Sequence, residues 1–138
     1  MNVFIPTIEQ VRINGSGSII FMDKIITESL RLNISGSGEI EGFVECNVLT
    51  AEIFGSGKMM ITGKSQRADL DISGSGNFEC EGLEVSDARI EIRGSGDAGI
   101  NVIENLEGKI SGSGNIKYQG NPGITFSVSG SGKLKALN

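Results

Sequence analysis

Glu52, Asp71 and Glu91 recur at intervals of 19 and 20 residues, and Asp69 and Arg89 each stand two residues before one of them. Carboxylates held close together share protons, bind Ca²⁺ or act as the acid and base of sugar cleavage. That is the main chemistry open to this chain, because its 138 residues include no His and only 2 Cys. Without His there is no Ser-His triad, no His-ligated zinc and no imidazole acid or base, and two thiols alone do not build a structural zinc site. The plainer reading of the three carboxylates is a solvated acidic face partly neutralised by Arg89. Both readings require residues about one repeat apart to stand side by side, so the elements that carry them come next.

The triplet Gly-Ser-Gly occurs seven times, at Gly15 to Gly17, Gly36 to Gly38, Gly55 to Gly57, Gly74 to Gly76, Gly94 to Gly96, Gly112 to Gly114 and Gly130 to Gly132. These copies hold 14 of the 21 glycines. Two positions before each stands a β-branched residue: Ile13, Ile34, Ile53, Ile72, Ile92, Ile110 and Val128. Apolar residues also fill most positions four and six before the triplet, and two and four after it, while the residues between are mostly polar. Alternation with period two is the mark of half-buried strands. Each repeat therefore reads as two strands joined at Gly-Ser-Gly, and the variable stretch between repeats, which carries Ile25, Phe43, Val48, Leu83, Val85 and Val102, as a third short strand or a packed corner.

A unit this short cannot bury its apolar edge alone, but stacked copies can. The expected fold is all-β: one domain over residues 1–138, a right-handed parallel β-helix of about seven coils of 18 to 21 residues with glycine corners. Equivalent residues then stack at about 4.8 Å, which would place Glu52, Asp71 and Glu91 in one outward row. The rival fold uses Gly-Ser-Gly as a hairpin loop in an antiparallel meander, where the same alternation holds. Exposed terminal coils invite pairing with another chain. The chain is accordingly expected to be the C-terminal part of a longer protein, or to self-associate through open ends. Glu9 is expected to face inward only because the first coil is open, and Asn2 to Ile5 to form half a coil.

The segments Ile34-Ser-Gly-Ser-Gly-Glu-Ile40, Ile72-Ser-Gly-Ser-Gly-Asn-Phe78, Ile110-Ser-Gly-Ser-Gly-Asn-Ile116 and Val128-Ser-Gly-Ser-Gly-Lys-Leu134, with Tyr118-Gln119-Gly120-Asn121-Pro122, resemble the auto-transporter adhesin head GIN domain family. The resemblance spans nearly the whole chain. It implies a right-handed β-helix, a cell-envelope or extracellular location in a bacterium and an adhesin role, and it supplies no functional residues to carry over. In two respects the chain departs from it: Met1 to Gln10 has no basic region followed by an apolar core, and no translocator barrel follows the repeats.

Other motifs carry less. Gly-Ser-Gly lacks the helix and Lys-Ser/Thr of a phosphate loop, and nine-residue calcium-roll units are absent. The stacked serines, Ser16, Ser37, Ser56, Ser75, Ser95, Ser113 and Ser131, form a hydroxyl edge that either faces a repetitive ligand such as a glycan or ice, or satisfies the corners. Cys46 and Cys80 are read as free thiols filling space, and Ile20, Phe54 and Met60 as exposed apolar residues. A formal charge of −5 disfavours nucleic acid or an anionic membrane as partner, and no apolar run is long enough to span a bilayer. The expected function is non-catalytic presentation of an elongated face, including Glu52, Asp71, Glu91 and Arg89, to a protein or glycan, with no cofactor and no metal. The alternatives are a carbohydrate-active enzyme working at that acidic face and a structural spacer.

Overall fold

The computed structural model describes residues 10–21 and 25–136. The described residues form eleven strands: β1 (Gln10–Gly15), β2 (Ser18–Ile20), β3 (Ile25–Ile26), β4 (Ser29–Gly36), β5 (Glu39–Gly55), β6 (Lys58–Gly74), β7 (Asn77–Gly94), β8 (Asp97–Gly112), β9 (Asn115–Gln119), β10 (Gly123–Gly130) and β11 (Lys133–Ala136). Every pairing among them is parallel, in the order β1-β4-β5-β6-β7-β8-β9-β11, with β10 on β8 and both β2 and β3 on β5. Parallel neighbours one repeat apart exclude the meander and make a β-solenoid.

The coils number about six rather than seven, since seven triplets bound only six complete intervals. The linking stretch is also more regular than a corner. In β5 to β8 the strand runs unbroken from just after one triplet into the next, for 16 to 18 residues. Differences in repeat length are absorbed there by register shifts between Met60 and Gly63, Cys80 and Glu84, and Val85 and Asp87, while the arm before each triplet keeps strict register. Glu9 and Asn2 to Ile5 lie outside the described residues.

The interior is one apolar column stack. Ile34, Ile53, Ile72 and Ile92 are fully enclosed, as are Leu32, Leu49, Met59, Ile61, Phe78, Ile90, Ile100 and Ile116. The linking stretch adds Ile25, Val44, Leu83, Val85 and Val102 to it. Of the last coil's inward residues, Ile124 and Val128 stay 41% and 36% exposed, because no described strand lies beyond β10 to cover them.

The two glycines of a triplet do different work. Gly55 has φ +115°, a region L side chains rarely adopt, and a Cβ there would stand 2.7 Å from the Gly36 carbonyl oxygen of the coil below. Gly57 has no such torsion; a Cβ on it would meet Cγ2 of Ile34 at 2.5 Å, so its missing side chain is the space that isoleucine fills. The corner bonds come from the serine backbone: Ser56 N–H donates to Gly36 O at 3.0 Å and Ser75 N–H to Gly55 O at 3.0 Å, and Ser37, Ser95, Ser113 and Ser131 repeat the pattern. The serine side chains themselves are exposed.

Candidate functional site

The strict register of the arm before each triplet decides what stands beside what. Arg12, Asn33, Glu52, Asp71, Glu91, Lys109 and Ser127 form one outward row across β1, β4, β5, β6, β7, β8 and β10. Glu52, Asp71 and Glu91 thus occupy consecutive rungs, about 4.8 Å apart along the axis. Next to this row runs a second, in which Thr50, Asp69, Arg89 and Glu107 are paired in register. A shallow depression of about 280 Å³ lies between them, lined by Glu52, Asp69, Asp71, Arg89 and Glu91 with Thr50, Ala51 and Leu70. All four site residues expected from the sequence meet there.

The electrostatics centre on Asp71. Its pKa is raised, first by burial and then by the charge of Glu91, with Glu52 adding to the rise and Arg93 opposing it. One of its oxygens, Oδ1, is inaccessible to solvent and has no hydrogen-bond partner. Glu91 is better served, since its Oε1 accepts from Arg93 Nη2 at 3.0 Å. Arg89 instead leans toward Glu107, with Nε 3.9 Å from Oε2 and both side chains more than half exposed, a loose pair of little energetic weight. Arg93 is therefore the cation that pairs with the acidic row, and sequence reasoning missed it. Its signal was available, because it lies two residues beyond Glu91 and so on the same face.

Among the described residues no group of three or more Cys, Asp or Glu is arranged to hold a metal ion. The thiols are structural. Cys46 and Cys80 are both free and buried. Burial raises the Cys46 pKa against a contact with Ser65 Oγ at 3.6 Å, and pushes Cys80 up to about 12, so neither is a thiolate at neutral pH. Ile20, Phe54 and Met60 are exposed, as expected, and Ile26, Phe43 and Ile103 join them. No described helix is long and apolar enough to cross a membrane.

Parallel coils, an enclosed apolar stack and polar rows held in register on the outside define a repeat protein that offers an extended outer face. The family model described as "Putative auto-transporter adhesin, head GIN domain" matches residues 1–122, and the chain belongs to that family. Three solved structures are similar. A "Putative lipid binding protein" from Parabacteroides distasonis ATCC 8503 is 28% identical with a TM-score of 0.92, the match covering 94% of this chain and 53% of that one. A "putative adhesin" from Bacteroides fragilis NCTC 9343 is 28% identical at a TM-score of 0.90, covering 95% and 61% respectively. A "putative adhesin" from Parabacteroides merdae ATCC 43184 is 28% identical at a TM-score of 0.92, covering 94% and 55%. This chain thus spans 53% to 61% of the length of these proteins. No curated protein matches it.

Proposed function

We propose that this protein is a non-catalytic, cell-envelope or extracellular adhesin-like module that presents the polar face around Glu52, Asp71, Arg89 and Glu91 to a protein or glycan. The observation that supports it most is the in-register outer face: rows of polar side chains repeat on consecutive rungs of a scaffold whose core is enclosed. Such an array places identical spacings along one line, which suits an extended partner. Family membership and two similar structures described as adhesins favour the same reading, with the location that goes with it. Catalysis at the acidic row is less well served, because Asp71, whose pKa is raised, turns an oxygen away from solvent and the row lies in a shallow depression. One relative is described as lipid binding, so vesicles belong in the test.

The test immobilises the chain and presents a glycan array, purified extracellular-matrix proteins and phosphatidylcholine vesicles. Saturable binding to a glycan or a protein is expected. Release of reducing ends from a polysaccharide, abolished by Glu91→Gln, would replace the reading with an enzyme. Binding to vesicles alone would replace it with a lipid-binding role.

A further inference from the structure

Beside the acidic row lies a larger open groove of about 890 Å³, within the size range of small-ligand sites. Its polar lining comes from Arg67 and Asp69 on β6, Asp87 and Arg89 on β7, and Asn105 and Glu107 on β8. The pairing register places Arg67 beside Asp87 and Asp87 beside Asn105 in one row, and Asp69 beside Arg89 and Arg89 beside Glu107 in the next. Charges of opposite sign therefore alternate between Arg67, Asp87, Asp69 and Arg89 and on to Glu107, with the neutral Asn105 ending the first row. Two guanidiniums against three carboxylates leave almost no net field, and the chain's overall charge of −5 repels a polyanion.

What the groove does offer is a dense set of planar groups with paired hydrogen-bonding positions. A carboxylate accepts at two oxygens and a guanidinium donates through a fork, an arrangement that brackets two adjacent hydroxyls. Much of this capacity is unspent. Arg67 makes no ion pair with any described residue, and Arg89 is only loosely held by Glu107 at 3.9 Å. Asp87 is fixed by Asn105, whose Nδ2 donates to its Oδ1 at 2.8 Å. Among the described residues no aromatic ring lines the groove, so hydroxyl contacts would have to carry the affinity.

We propose that this groove binds a neutral, linear glycan lying along the solenoid axis. The proposal rests on the adhesin-like reading and specifies its ligand. Coils stack at about 4.8 Å, close to the repeat of an extended hexose chain, so successive sugars meet the polar pairs Arg67 and Asp69, Asp87 and Arg89, and Asn105 and Glu107 on successive rungs. From Arg67 to Thr125 the lining crosses four coils, three intervals, or about 14 Å, enough for three or four sugars.

The test titrates the whole chain by calorimetry with neutral gluco-, manno-, xylo- and galacto-oligosaccharides from disaccharide to octasaccharide, and with a hyaluronan octasaccharide as polyanion. In at least one neutral series affinity should rise to about the tetrasaccharide and then level off. Arg67→Gln and Asp87→Asn should each weaken that binding about tenfold without shifting the melting temperature, while Glu84→Gln on another wall leaves it unchanged. Binding of hyaluronan in preference to every neutral series overturns the proposal, as does neutral binding that ignores both groove variants. If no neutral series binds while the immobilised chain still captures a matrix protein, the groove assignment fails and the adhesin-like reading stands. If neither binds, both fail.

Discussion

Asp71 is the residue at which the polar face costs the fold something. Its pKa is raised above the ordinary 3.8, mainly by burial, so the ionised form is disfavoured in the folded state. The folded chain then holds the proton more tightly than the unfolded one. The corresponding stability is fully present at acid pH and is lost as pH rises through the raised value. Asp71→Asn is accordingly expected to raise the melting temperature at pH 7 by about 1–3 °C, with the two curves converging below pH 3.8. A lower melting temperature for Asp71→Asn at pH 7 would show that the carboxylate makes a favourable contact. The corner glycines allow a second comparison at this scale. Gly15 and Gly55 share a positive φ, but a Cβ at Gly15 meets nothing within 4 Å whereas one at Gly55 runs into the Gly36 carbonyl. Gly15→Ala should cost only the torsional penalty of about 1–2 kcal/mol. Gly55→Ala should cost clearly more in urea melts, since backbone of the coil below must also move.

For the strands, register matters more than composition. Ile72 is fully enclosed between Ile53 and Ile92, so Ile72→Ala should cost about 2–5 kcal/mol, while Val128→Ala, in the same column but 36% exposed, should cost well under half of that. One residue inserted between Leu70 and Asp71 would turn the rest of that arm inside out and should abolish folding. One inserted after Glu81 falls where β7 already shifts register against β8, and should leave a folded protein with a modestly lower melting temperature. The same contrast explains what the sequence made legible. Strict period-two alternation before each triplet exposed the core columns and placed Glu52, Asp71 and Glu91 on one row. The linking stretch left a third short strand and a packed corner both open, because bulges at Met60/Gly63 and Cys80/Glu84 break any fixed offset. Arg67, Asp87 and Asn105 border that stretch, which is why the larger groove could not be read from columns alone. Asp71's buried oxygen depends on side-chain packing that periodicity does not report.

Across the whole molecule each coil is stabilised chiefly by the coils on either side, so stability should be graded along the axis rather than uniform. β6 and β7 are paired along both edges, whereas β10 and β11 are paired on one edge only among the described residues, and β10 leaves Ile124 41% exposed. Native-state hydrogen exchange should therefore be slowest in β6 and β7 and accelerate through β8 toward β10 and β11, the openings there having lower free energy than global unfolding. A single exchange free energy shared by all these strands would show instead that the coils unfold as one unit. The gradient bears on function, because Arg67, Asp69, Asp71, Asp87, Arg89 and Glu91 all sit on the two strands expected to be best protected. A ligand meeting them would find its contacts already in place and lose little to ordering the protein. On binding, exchange in β6 and β7 should slow only by the factor 1 + [L]/Kd that stabilises the native state as a whole, while the exposed arms of Arg67 and Arg89 lose freedom, readable in the relaxation of their Nε–H signals. Large added protection confined to β11, which lines no part of the groove, would mean that the partner grips the far coil instead.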